Sequence, residues 1–425
     1  MSTQERVEFL KKFDPDIANL LENEQKKQHD TIGLIASENI ASPLSVCLEG
    51  SIFTNKNTEG YPGKRYVGGT ENEDKVELIA IERLKKLFGC EHANLQSGNA
   101  TIANSSVFMG LLSPGDTVLS MSLSDGGHLS HGAKFHFSGK FYNIVSYGVD
   151  QSTEQIDMNN VRSMALKYRP KMIVCGGSSY PRLIDYKEFR KIADEVGAYL
   201  WVDAAHIIGM IAGKAIPSPV PYADVVTFST QKTLRGPRGC GVILCKEKIK
   251  DKIDRGVFPG MQGGPKADMI AARAVLFKEC MTKEYSIYQQ QVLKNAKALA
   301  QGCLDQGLSL VSGGTDTHLA LVKVTDFIDS GREAELLLES VGIITNKNLI
   351  PFDSLGSNLT SGIRIGSPLM TTRGAKEQEM RHIGNLIGIT LKNKDNQKEL
   401  EKVKVEVNEI TSKYPMFAKE WNVAE

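Results

Sequence analysis

Lys232 is the residue around which chemistry could be organised. It follows an apolar run, Val225 to Ser229, and precedes Thr233-Leu234-Arg235-Gly236-Pro237-Arg238-Gly239, a turn rich in glycine, proline and arginine. A strand that ends in such a turn holds the amine on a short, stiff stalk, which is how a lysine is presented for Schiff-base formation with a carbonyl. A solvated lysine beside a turn has the same local sequence, so a second group is needed. Ala198-Tyr199-Leu200-Trp201-Val202-Asp203-Ala204-Ala205-His206 supplies one: an apolar strand that ends in a carboxylate, with an imidazole three residues on. A buried aspartate is costly unless it is paired. A protonated pyridine nitrogen is one such partner, and the carboxylate keeps that ring electron-withdrawing.

These groups must be positioned by regular elements. Strand-like runs at 117–121, 172–176, 199–203, 224–229 and 241–245 interleave with helical spacing at 73–89, after Asn99, at 159–168 and at 187–196. Such alternation predicts a mostly parallel sheet covered by helices on both faces, with ligands bound where strands end. Asp203 and Lys232 both stand at such ends. Residues 267–304 read as one sustained helix leaving this unit. Short strands at 319–324, 342–345 and 362–365, with helices at 332–339, 376–385 and 398–411, predict a smaller α/β lobe. Upstream, Phe9, Leu10, Phe13, Ile17, Leu20 and Leu21 recur at helical spacing in a polar arm over residues 1 to about 30, expected to lie on a partner subunit. Residues 31–69 have little periodicity, and a long irregular segment of that kind is usually functional or disordered. The expected layout is an arm and substrate loop over 1–55, a large unit over 56–285 and a smaller one over 286–425.

The chain has 425 residues, 41% hydrophobic and 24% charged, with a net charge of +1. That balance predicts a soluble protein without a nucleic-acid footprint. The amino terminus has no apolar signal core, and no run approaches the ~18 apolar residues of a membrane span; a cytoplasmic location is expected. Seven cysteines are scattered without a Cys-x-x-Cys pair, which predicts reduced thiols and no metal site.

Six longer words carry a family resemblance. In order they are Leu34-Ile35-Ala36-Ser37-Glu38-Asn39, Glu59-Gly60-Tyr61-Pro62-Gly63-Lys64-Arg65-Tyr66, Gly126-Gly127-His128-Leu129-Ser130-His131-Gly132, Lys232 to Gly239, Phe258 to Pro265 and Thr360-Ser361-Gly362-Ile363-Arg364-Ile365-Gly366. Together they resemble the serine hydroxymethyltransferase family, the likeness extending over roughly residues 10 to 390. The resemblance implies a fold-type I, aminotransferase-like enzyme that uses pyridoxal phosphate, with tetrahydrofolate as co-substrate and a small amino acid as substrate. It implies a Schiff base on Lys232, Asp203 at the ring nitrogen, His206 near the ring hydroxyl and His128 stacked on the ring face. Asn99, Ala100, Thr101, Ser178 and Gln231 would complete the cofactor site. Arg364, a guanidinium fork that matches a carboxylate, would clamp the substrate with help from Ser37. Glu59 would handle protons, and Tyr66 would face substrate and folate. Leu123, Gly127, Leu129 and Asn348 correspond to folate contacts. In the family the loop of Glu59, and the glycines matching Gly263 and Gly264, come from the neighbouring subunit, so a homodimer with shared active sites is implied.

The chain departs from the family pattern at particular places. Val67 replaces a second tyrosine, Asn57 a tyrosine that reaches the cofactor phosphate, Gln231 a histidine before the lysine, and Asp125 a histidine in the stacking loop. The phosphate loop reads Ser97-Gly98-Asn99-Ala100-Thr101, and Gly356-Ser357-Asn358 stands where the family has Ser-Pro-Phe. Three functions stay open at this point. They are the family's own one-carbon transfer; the same α-carbon chemistry with another aldehyde or acceptor, as in threonine aldolases and transaldolases or on α-substituted serines; and a weakly active partner subunit.

Overall fold

The computed structural model describes residues 3–416. Its largest element is a seven-stranded sheet in the order His92–Asn94, Gly241–Cys245, Val225–Ser229, Tyr199–Asp203, Met172–Cys175, Thr117–Met121, Asn143–Tyr147. Pairing is parallel from Val225–Ser229 across to Asn143–Tyr147, and Gly241–Cys245 pairs antiparallel on both sides. Every residue of Val225–Ser229 and Gly241–Cys245 is buried, as a sheet covered on both faces requires. Alternate residues of each strand supply opposite cores. Leu200, Val202, Val226 and Phe228 pack with Phe189 and Leu84, whereas Trp201, Val225 and Ile243 pack with Phe108.

The second sheet has four antiparallel strands in the order Ser309–Leu310, Leu319–Lys323, Gly362–Gly366, Asn346–Asn348. Its core gathers Leu299, Val322, Ile363, Ile365 and Leu386, together with Ile32 and Leu34 from the segment after the arm. Ile32–Gly33 pairs in parallel with Ile343–Ile344, so the segment expected to be irregular begins as a strand of this half. A boundary between residues 285 and 286 would fall in the first turn of helix Lys283–Asp305. The expected layout begins and ends at residues 1 and 425, both outside the described residues.

Two expected helices are each split in two, for the same reason. The arm forms Thr3–Phe13 and Pro15–Asp30, because Asp14 accepts from Ile17 N and Pro15 occupies the first turn, where its missing N–H costs nothing. Residues 267–304 form Ala267–Glu279 and Lys283–Asp305, the second capped by Thr282, which accepts from Tyr285 N. No helix among the described residues is long and apolar enough to cross a membrane. All seven cysteines are free, six of them buried.

Candidate active site

The backbone of Lys232 is fixed from three directions. Strand Val225–Ser229 delivers it. The buried Thr233 donates to the His206 carbonyl at 2.9 Å and accepts from Gly209 N at 3.1 Å. Asn39 donates to the Lys232 carbonyl at 3.1 Å and accepts from the Thr372 hydroxyl at 2.7 Å. With its main chain held, the side chain answers to its surroundings. Burial pulls the amine down from 10.5 to about 8, although the charge of Asp203 pulls the other way. The folded state therefore binds fewer protons than the unfolded chain between those two values, so this lysine's contribution to stability rises with pH across the window. Below pH 8 it is a constant penalty. In melting curves of the cofactor-free protein, Lys232→Met is expected to melt above wild type at pH 7. The gap should close between pH 8 and 10.5; a gap that does not change with pH would refute the lowered amine.

Asp203 ends its strand with both oxygens engaged. Oδ1 accepts from Ala205 N at 3.0 Å, and Oδ2 accepts from Asn104 Nδ2 and His131 Nε2, each at 2.8 Å. Burial alone would raise this carboxyl, but the hydrogen bond and charge of His131 reverse the effect and hold it well below the ordinary carboxylate range. A neighbouring cation is thus offered a permanently ionised partner.

His128 stands half-buried at the end of a loop that only glycine permits. Gly126 has φ +117°, and a Cβ on Gly127 would fall 2.3 Å from the Met121 carbonyl oxygen. Ser178 N donates to the Gly126 carbonyl at 2.7 Å, pinning the loop. The ring Nδ1 lies 2.6 Å from Ser130 Oγ and accepts from Ser130 N at 3.2 Å. Burial lowers the imidazole to about 4, so it is neutral at physiological pH. Leu123 and Leu129, on the same loop, are exposed.

His206 stacks on His318, with ring centroids 5.4 Å apart and Nδ1 of the first 3.2 Å from Nε2 of the second. Burial depresses both, His318 to about 3, so two neutral rings share one proton between those atoms. Arg364 is carried by strand Gly362–Gly366. Its Nε donates to Asn346 Oδ1 at 3.2 Å and its Nη1 to the Ser178 carbonyl at 2.7 Å. No carboxylate among the described residues is ion-paired with it, and burial pulls it down to about 10. Ser37 lies in the turn after Ile32–Gly33, a turn tied to this strand by Gly366 N donating to the Leu34 carbonyl at 2.8 Å.

Over residues 10–387 the sequence matches the family model of serine hydroxymethyltransferase. The chain belongs to the serine hydroxymethyltransferase family. Membership carries a pyridoxal-phosphate-dependent transferase of fold type I, and the mixed α/β architecture around a large sheet agrees with it.

The residues present fit that cofactor. An amine of lowered basicity lies within the field of an ionised, buried carboxylate. Helix Ala100–Leu111 reaches Asp203 through Asn104, with Asn99 capping it through a bond from Ile102 N and Ala100 and Thr101 in its first turn. First-turn N–H groups and the helix dipole favour an anion. Ser97 Oγ and Gln231 Oε1 are buried without a partner among the described residues, as polar groups awaiting a ligand are.

A second group of expected residues gathers elsewhere. A Cβ on Gly264 would lie 3.0 Å from Glu59 Cγ and 3.2 Å from Asn57 Oδ1, and Gly263 is the adjoining exposed residue. Arg65 fixes the main chain on both sides of Glu59. It donates to the carbonyls of Thr58 and Gly60 at 2.8 and 2.7 Å while paired with Asp74 and Glu77. Tyr66 is 71% exposed, its ring edge-on to Phe258 at 5.5 Å. Hydrogen bonds and electrostatic contacts thus join Lys232, Asp203, His128, Ser178, His206 and Arg364 into one group, while the segments of Glu59 and Gly264 pack together and are tied to residues 96–98 by Gln96 donating to the Gly60 carbonyl and Gly98 N donating to Gln262 Oε1, each at 3.0 Å. Asn348 lies on strand Asn346–Asn348 next to that of Arg364, its amide bonded to the Leu349 carbonyl.

Several contacts of the first group were not foreseen from the sequence: Asn39, Asn104, Ser130, His131, His318 and Asn346. His131 had a signal, since it stands three residues after His128 in the same word. Asn346 and His318 had none, because nothing local marks a residue that meets its partner through sheet register, as Asn346 meets Arg364, or across 112 residues of chain, as His318 meets His206.

Proposed function

We propose that this chain interconverts serine and glycine, passing a one-carbon unit to or from tetrahydrofolate, as a homodimer. Arg364 is the observation that carries the reading: a buried guanidinium that no carboxylate among the described residues pairs with, within the electrostatic reach of Lys232. Its guanidinium fork matches an α-carboxylate, and its Nη2 donors are not used by Asn346 or Ser178. Pyridoxal phosphate, when bound, supplies an electron sink for breaking a bond at the substrate α-carbon.

Lys232 would hold the cofactor through its amine, and Asp203 would hold a proton on the ring nitrogen. His128 would cover the ring face, and His206 would lie at the ring hydroxyl. Asn99, Ala100, Thr101, Ser178 and Gln231 would line the rest of the cofactor pocket. Ser37 would join Arg364 on the carboxylate. Glu59, with Gly263 and Gly264, would enter the neighbouring subunit's site, Glu59 to move a proton at the substrate hydroxyl and the glycines to admit the phosphate. The exposure of Gly263 and Gly264, with the partly buried Glu59 packed against Gly264, supports that assignment. Tyr66, Leu123, Gly127, Leu129 and Asn348 would receive the folate.

A second reading, the same α-carbon chemistry with another aldehyde or acceptor, is favoured by Val67. This residue is 38% exposed beside Tyr66 and offers no hydroxyl where the family has one. Exchange of the glycine α-proton in deuterated water, followed by NMR on protein loaded with pyridoxal phosphate, separates the readings. Strong acceleration by tetrahydrofolate is expected for one-carbon transfer. Exchange indifferent to folate would transfer support to the second reading, and no exchange would overturn both.

A further inference from the structure

Asn104 is 1% exposed on the helix that begins at Ala100, and its side-chain nitrogen makes two hydrogen bonds. One goes to Ser130 Oγ at 2.8 Å and the other to Asp203 Oδ2 at 2.8 Å. The orientation of the amide is forced, because an ionised carboxylate can only accept and would repel the amide oxygen. The two hydrogens of one nitrogen are thus divided between a hydroxyl and a carboxylate.

The hydroxyl then has its own hydrogen to place. Ser130 Oγ receives from Asn104, and its hydrogen points to His128 Nδ1, 2.6 Å away, where Ser130 N also donates at 3.2 Å. A ring nitrogen that faces two donors cannot carry a hydrogen, so the ring proton of His128 sits on Nε2. We infer that Asn104 is a positioning residue. Through one nitrogen it orders the Ser130 hydroxyl, which adds to the Ser130 N–H in fixing the tautomer of His128, and it orients Asp203, so that the two groups are set as a unit. Two further features fit this assignment. His131 supplies the other donor to the same oxygen, Asp203 Oδ2. Asn104 Oδ1, in contrast, is buried without a partner among the described residues, so the amide keeps an orientation that leaves its oxygen unsatisfied. The importance of this unit for a cofactor rests on the function proposed above, but the tautomer itself is a property of the cofactor-free protein.

The test is ring nitrogen NMR on cofactor-free protein labelled with ¹⁵N-histidine, His128 being assigned by its loss in His128→Gln. Wild type is expected to show one tautomer at neutral pH, with Nδ1 unprotonated and Nε2 protonated. In Asn104→Leu, which keeps the volume and removes the donor, the Ser130 hydroxyl is freed to accept, and both His128 nitrogens should shift part of the way toward averaged positions, the Ser130 N–H still favouring an unprotonated Nδ1. Ser130→Ala tests the same link without touching Asn104 and should shift them likewise, which covers the case of a leucine variant that does not fold. A wild type already averaged would overturn the inference, as would a folded Asn104→Leu or Ser130→Ala in which neither His128 nitrogen moves. Because no cofactor is present, failure here is separate from failure of the α-proton exchange experiment.

Discussion

Lys232→Met is expected to lower amino-acid turnover by about 10⁴-fold or more while leaving the fold intact, because the covalent anchor is lost and nothing beside it can substitute. Methionine has a similar length and fills the same space, so packing should survive. The expectation has a quantitative basis in the amine. With its value at about 8 rather than 10.5, roughly a tenth of the amine is unprotonated at pH 7, about 300-fold more than for an ordinary lysine. Borohydride reduction in the presence of pyridoxal phosphate should therefore label the peptide containing Lys232 far ahead of the other lysines. Mass spectrometry locates the label, and one placed predominantly elsewhere would remove Lys232 from its role.

The second large effect belongs to Arg364. Arg364→Ala should weaken amino-acid binding by about 10³-fold, since two charge-assisted hydrogen bonds to a carboxylate contribute about 1.5–3 kcal/mol each. Cofactor affinity should change little. Lysine at this position keeps the charge but not the fork, so Arg364→Lys is expected to recover only part of the loss. The guanidinium also braces the Ser178 carbonyl and Asn346, so the melting temperature must be read alongside. Titration with glycine and, separately, with pyridoxal phosphate decides the matter. A variant that loses cofactor affinity and keeps amino-acid affinity would place Arg364 on the wrong ligand.

The residues that could be read from sequence are those whose role is written locally. Asp203 ends an apolar strand and Lys232 follows one by three residues, and Gly126 and Gly127 precede the ring they allow to approach. The central strands at 117–121, 199–203 and 241–245 occur where alternation with helices predicts. The edge strands His92–Asn94 and Asn143–Tyr147 were not foreseen, one being too short to show a period and the other having adjacent apolar residues, Ile144 and Val145, in place of alternation. The break at Asp14-Pro15 had a cue in the capping pair. The break at Thr282 depended on an extended backbone that no glycine or proline announces. His318 and Asn346 reach the site only after two sheets have met, so their partners lie outside any sequence window. Asn104 reads as one more residue of a buried helix until its neighbours across the sheet are known.

The contacts that assemble the site have a bearing on how the molecule reaches its native state. His206 meets His318 across 112 residues, Arg364 meets the Ser178 carbonyl across 186, and Asn39 meets the Lys232 carbonyl across 193. Each joins groups carried by different elements, and the first two link the seven-stranded sheet to the four-stranded one. Closing loops of that length is entropically expensive, and such contacts are rewarded only after local structure exists on both sides. The pocket is therefore among the last features to form during folding. The cofactor cannot serve as a template for the chain; it selects molecules whose two halves have already joined and holds them there.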